Sequence, residues 1–274
     1  MNTIRTGPFG MLPPIVKNLL IINGIFFFAT FLLQTRDINL NSIFGLHYFS
    51  APNFKPWQTI TYMFMHGSFG HLFFNMFALW MFGSTLENRL GAKRFLSYYI
   101  ITGVGAALIH YIIVYFQIHP TMMLFDQFLN APGLDTFRLL VEGNSDPRYQ
   151  QILSNHNLMV LQQNPNSLAE LLPLVSNIKA NFLNSFVIIG ASGSVFGLLL
   201  AFGMLYPNAE IYLYFLLPIK AKWFVILYGA MELVFGITGS NDGIAHFAHL
   251  GGMLFGIILL LAWRRHDRNQ KGYF

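Results

Sequence analysis

Asn181–Leu205 reads NFLNSFVIIGASGSVFGLLLAFGML, a run without a single charged residue. A helix that crosses a bilayer needs about 20 mostly apolar residues, and this stretch supplies them. Its centre, Gly190–Gly197 (GASGSVFG), is different in kind: small residues and two serines in the middle of an oily run. Small residues let helices pack closely in a membrane. Serines there are packing groups that bond back to their own helix, or one of them is a nucleophile. The rest of the sequence has to decide between these readings.

Composition sets the frame. The chain has 274 residues, 54% hydrophobic and only 10% charged, with 29 Phe and a mean hydropathy of +0.51. A soluble domain of this size carries about a quarter charged residues, so the expected class is an all-α polytopic membrane protein. There are no cysteines, which excludes disulfides, thiolate metal sites and cysteine nucleophiles. The net charge is +5, but the basic residues stand in short groups beside apolar runs. That pattern fits charge flanking a bilayer, and nucleic acid is not an expected partner.

Six spans are expected, near 15–34, 68–88, 95–117, 185–206, 221–238 and 243–263. The first resembles an anchor rather than a cleaved signal. The fifth has the least defined start, because IYLYFLLPIKAKW before it is also apolar and is broken by Pro218. One set of loops holds Arg5, Lys17, Arg89, Lys93, Arg94, Lys220 and Lys222, and the tail adds Arg264, Arg265, Arg268 and Lys271. The other set holds Arg36, Lys55, Arg138, Arg148 and Lys179 over far more residues. By the positive-inside rule both termini are expected in the cytoplasm, in a cytoplasmic (inner) membrane, with spans 2, 4 and 6 running inward. A long segment near 118–183 separates spans 3 and 4 on the outer side. It is expected to be partly helical, with Ser167 and Glu170 spaced as a capping box.

Polar side chains at membrane depth are costly, so each one is a functional candidate. Span 2 opens with HGSFGHLFFN, where His71 and Asn75 share a helical face and His66 lies just outside. Span 6 opens with GIAHFAHLGG, carrying His246 and His249, and span 5 contributes Glu232. At about 1.5 Å per residue, Ser192 and Asn75 lie about 10 Å below the outer ends of their spans, His249 about 9 Å and His71 about 5 Å. Three parallel spans thus bring serine, imidazole and amide to one level.

The chemistry at that level is coherent. A serine becomes nucleophilic when a base takes its proton, and imidazole serves near neutral pH. Asn75, His71 and the Ser192 backbone N–H are candidate oxyanion donors. No aspartate is placed to orient the base, so a serine–histidine dyad is expected, with Glu232 a hydrogen-bonded structural group. Gly193 beside Ser192, and Gly252 and Gly256 after His249, are small enough for two backbones to approach. A metal held by His71, His246 and His249 is the minor alternative, and no metal or other cofactor is expected.

Together, GASG in span 4, AHLGG in span 6 and HGSFGHLFFN in span 2 resemble the rhomboid intramembrane serine proteases. The resemblance implies a six-transmembrane-helix rhomboid-like bundle forming a single membrane domain over 1–274. It implies Ser192 as nucleophile and His249 as general base and acid. By the same resemblance His71 and Asn75 line the oxyanion hole, and Gly252 with Gly256 brings span 6 against span 4. Phe196 falls where the family has an aromatic stacked on the imidazole. Trp57 is followed by Gln58 where some members have arginine. His246 is a second choice of base, nearer the outer surface. Expected substrates are single-span membrane proteins cut near the outer leaflet, with FGITGSNDG before span 6 a candidate gate. The competing class is a non-catalytic rhomboid-like binder of membrane helices, which needs neither Ser192 nor His249. A proton-coupled transporter predicts repeats that the span pattern lacks.

Overall fold

In the computed structural model, residues 12–143, 168–213, 216–239 and 245–271 are described. Helix dominates. The principal helices are α1 (Pro14–Gln34), α2 (Phe69–Ala78, continued through a π-helical turn, Leu79–Gly83, into Ser84–Leu90) and α3 (Ala92–Asn130). After them come α4 (Leu134–Gly143), α5 (Leu168–Asn184), α6 (Ser192–Leu205), α7 (Ala221–Thr238) and α8 (His246–Lys271). Among these, α1, α3, α7 and α8 are long and apolar enough to cross a bilayer, and α6 is a shorter apolar helix. The arrangement is compatible with six spans.

The outward faces suit lipid. On α1, Ile21, Ile25, Phe28 and Phe31 are each more than half exposed, as are Ile226, Leu227, Val234 and Ile237 on α7. In water such stripes would drive aggregation, whereas acyl chains cover them at no cost. Helix ends are tied down by polar groups. The buried carboxylate of Glu87 accepts the N–H groups of Ile15 (3.0 Å) and Val16 (2.8 Å) at the start of α1. A negative charge there meets unpaired donors and the positive end of the helix dipole. Ser68 caps α2, its Oγ accepting the His71 N–H at 3.1 Å.

Two compact units divide the chain. One holds residues 1–46, 56–110 and 188–274, the other 47–55 and 111–187. The second unit has its own aromatic core, with Phe125, Phe128, Phe137 and Val175 fully buried. Lys179 and Asp126 form an ion pair there. The proposed capping serine, Ser167, lies outside the described residues, as do 240–243 of the expected gate.

The structure departs from the expected spans most clearly at α3 and α6. Helix α3 runs through Pro120 to Asn130 rather than ending at 117. Proline removes one backbone donor and kinks a helix, but it need not end one. The fourth span is not helical from 185: Val187–Ile188 is extended, and α6 begins only at Ser192. The apolar stretch before α7 is a hairpin, β1 (Glu210–Leu213) antiparallel to β2 (Leu217–Lys220), with Glu210 opposite Lys220. Pro218 cannot donate to a ladder and is tolerated in so short an edge strand.

Candidate active site

The site lies within the first unit. The site starts from a glycine. Gly190 has φ +120, a conformation that side-chain-bearing residues rarely adopt, and its N–H donates to the Tyr62 carbonyl at 2.9 Å. Extended backbone therefore runs almost to Ser192, which becomes the first residue of α6. Ala191 at the N-cap offers no side-chain acceptor, so the N–H groups of Ser192, Gly193 and Ser194 have no intrahelical partner. The nucleophile candidate thus sits at the positive end of a helix rather than about two turns inside one.

The two serines separate cleanly. Ser194 is 1% exposed, and its Oγ donates to the Tyr99 carbonyl at 2.7 Å. Ser192 is half-buried, and its Oγ lies 2.8 Å from Nε2 of His249. His249 occupies the first turn of α8, and Phe196, one turn along α6 from Ser192, stacks on its ring at 4.1 Å and 6°. Helix α8 comes this close to α6 because Gly252 leaves it bare at the crossing. A Cβ on Gly252 would overlap the Gly193 carbonyl oxygen, and one on Gly193 would overlap the Ala106 side chain. Gly256 differs from its expected use: a Cβ there would meet the Tyr98 hydroxyl on α3 first, with Leu200 of α6 at 3.3 Å.

His71 is brought to the same place. A Cβ on Gly190 would lie 2.6 Å from His71 Nε2, so only glycine lets this ring approach the backbone before Ser192. Asn75 is buried one turn further on, and its amide donates to the His71 carbonyl at 2.8 Å. His66, just before α2, is 2% exposed with its ring edge-on to His71 at 4.9 Å. Burial, helped by the neighbouring His71, pushes the His66 pKa down to about 4, which leaves the ring neutral at neutral pH. Gln58 is also buried, and its amide donates to the Ile43 carbonyl at 3.1 Å.

The group that sequence reasoning undervalued is Glu232. Its Oε2 lies 2.8 Å from Nδ1 of His249 and 2.7 Å from Nδ1 of His246. His246 therefore meets the carboxylate, while His249 bridges carboxylate and serine. The available signal was a lone carboxylate in an otherwise apolar span. The three donor atoms of Glu232, His246 and His249 lie within 4.8 Å of one another, close enough to converge on a divalent cation. His71 is not part of that cluster.

The comparisons with known proteins give the family of this chain. The rhomboid domain pattern matches residues 53–119 and 168–266, more than half of the chain. The chain belongs to the rhomboid family. This rhomboid is similar to an uncharacterized mitochondrial rhomboid protein of Schizosaccharomyces pombe, 24% identical over 90% of the chain and 64% of the relative. It is 25% identical to the mitochondrial RHOMBOID-like protein 12 of Arabidopsis thaliana, over 95% of the chain and 60% of the relative. A shorter stretch, 22% of the chain, is 37% identical to 20% of the rhomboid protease GlpG of Salmonella choleraesuis. The chain thus spans less than two thirds of the length of each of these relatives.

These relatives overturn one expectation. A cytoplasmic (inner) membrane with both termini in the cytoplasm was read from the loop charges, whereas the relatives matched over most of the chain are mitochondrial. The physical reason is that Lys/Arg asymmetry distinguishes the two sides of a bilayer and carries no label for which bilayer it is. The multi-pass membrane character stands.

Proposed function

We propose that this rhomboid is an intramembrane serine endopeptidase that cleaves single-span membrane proteins near the bilayer face at which α6 and α8 begin. The observation that carries the reading is the 2.8 Å contact between Ser192 Oγ and His249 Nε2, made between two different helices. As Oγ bonds to the scissile carbonyl carbon, its proton passes to Nε2. The N–H groups that open α6 supply donors for the oxyanion, helped by the dipole of α6. His71 beside Gly190 is a further donor, and Asn75 has a second amide hydrogen beyond the one given to His71. His249 then returns the proton to the leaving amine as the C–N bond breaks, and water repeats the cycle on the acyl-enzyme. No cofactor is needed for any of these steps.

We read the chain as one membrane domain of six spans with an insertion near 118–183. The rhomboid match supports this by passing over residues 120–167. A substrate helix must unwind to reach Ser192, so helix-weakening glycine or proline near that face should favour cutting.

The experiment is cleavage of a reconstituted single-span substrate by the parent, Ser192→Ala and His249→Ala proteins. Cutting by the parent and none by either variant is expected. Undiminished cutting by Ser192→Ala would remove the nucleophile. Substrate binding without any cutting by the parent would favour the non-catalytic helix-binding class.

A further inference from the structure

We infer that Glu232 is the positioning acid of this site, so that the reactive unit is a Ser192–His249–Glu232 relay in which His246 anchors the carboxylate. The inference rests on the protease reading above and goes beyond the serine–histidine pair that the sequence implies.

The geometry separates this role from simple helix pairing. Glu232 is on α7, and both histidines are in the first turn of α8. A bond to His246 alone would tie the two helices together. The same oxygen also takes Nδ1 of His249, the one imidazole whose opposite nitrogen meets Ser192. All three side chains are buried, with Glu232 5%, His246 6% and His249 7% exposed, so bulk water does not compete for these bonds.

The pairing also fixes the tautomer. A carboxylate has no proton to give, so the nitrogen that meets it must carry one. With a hydrogen on Nδ1, neutral His249 has a bare lone pair at Nε2, aimed at the Ser192 hydroxyl. When Nε2 takes the serine proton, the imidazolium charge forms beside a carboxylate anion. The Nδ1 proton stays on the ring throughout, and Glu232 gains none.

Helix α7 supports the ring from a second side. Tyr228, one turn before Glu232, packs on Phe196 at 4.9 Å, and Phe196 in turn covers the face of His249. One helix thus backs both the in-plane bond and the stacking ring that hold the imidazole.

The test compares parent, Glu232→Gln and Glu232→Asp proteins reconstituted in liposomes, measuring kcat, KM and melting temperature. Gln keeps the volume and an oxygen that can accept from both imidazoles, but it offers His249 no negative charge. The expected result is a fall of about 100-fold or more in kcat for Glu232→Gln with KM within threefold. Partial recovery is expected in Glu232→Asp, which keeps the charge. A kcat within threefold of the parent would overturn the relay and leave the pair intact. So would a kcat loss explained by a matching loss of folded protein.

Should Glu232→Gln fail to fold, histidine NMR on the parent carries the test. A strongly deshielded Nδ1–H resonance that disappears in His249→Ala is expected, and its absence overturns the relay. A parent that cuts nothing fails the protease reading itself and takes this inference with it.

Discussion

The ring of Phe196 lies parallel to the imidazole of His249, 4.1 Å between centroids and 6° between planes, and also packs on the ring of Tyr228 at 4.9 Å. An imidazole that must receive a proton on one edge and hold one on the other has to keep its plane. The stack restrains that plane, and the Nδ1 bond restrains rotation within it.

Removing the stack should therefore slow the chemistry without removing any reacting atom. Phe196→Ala is predicted to lower kcat about fivefold, because an aromatic pair contributes about 1 kcal/mol and each 1.36 kcal/mol of barrier is about tenfold in rate. Phe196→Tyr keeps a ring in place and should stay within about threefold of the parent. Steady-state cleavage of the same substrate checks both.

The crossing of α6 and α8 gives a second prediction. A Cβ on Gly252 would overlap the Gly193 carbonyl, so Gly252→Ala must push the helices apart and lengthen the Ser192–His249 contact. Cleavage should fall at least 100-fold with a lowered melting temperature, although every chemical group remains. Gly24→Ala on α1, where a Cβ meets nothing within 4 Å, is the control and should leave cleavage unchanged without lowering the melting temperature. Equal loss in both variants would mean that the crossing is not what matters.

Chelation separates two uses of one cluster. Glu232, His246 and His249 bring their donor atoms within 4.8 Å, yet each Nδ1 is already engaged by the carboxylate. The hydrogen-bonded use predicts that exhaustive dialysis against EDTA leaves cleavage unchanged. Loss on dialysis with recovery on adding zinc would assign the cluster to a metal instead.

Much of this molecule is legible in its sequence, and the parts that are not have physical causes. Hydropathy reports burial in lipid and is blind to backbone conformation. It reads FVII before Gly190 as helix, whereas the structure has extended chain there and a glycine at φ +120. That misplaces the start of α6 and hides the helix N-terminus under Ser192. The serine, the imidazole and the glycines of the crossing are legible because each is an anomaly in an oily run. Glu232 is equally anomalous, but its partner lies on the next helix, 17 residues away, and no local spacing rule spans that gap. The compartment is illegible for a different reason, since loop charge orients a protein without naming its membrane.

The most direct measurement of the central claim needs no substrate. A serine-reactive fluorophosphonate, followed by peptide mapping, reads which hydroxyl is activated. Ser192 is predicted to label in the parent and in Ser194→Ala, because the parent's Ser194 hydroxyl is spent on the Tyr99 carbonyl, and to stop labelling in His249→Ala. Label on Ser194, or undiminished labelling of Ser192 without His249, would contradict it.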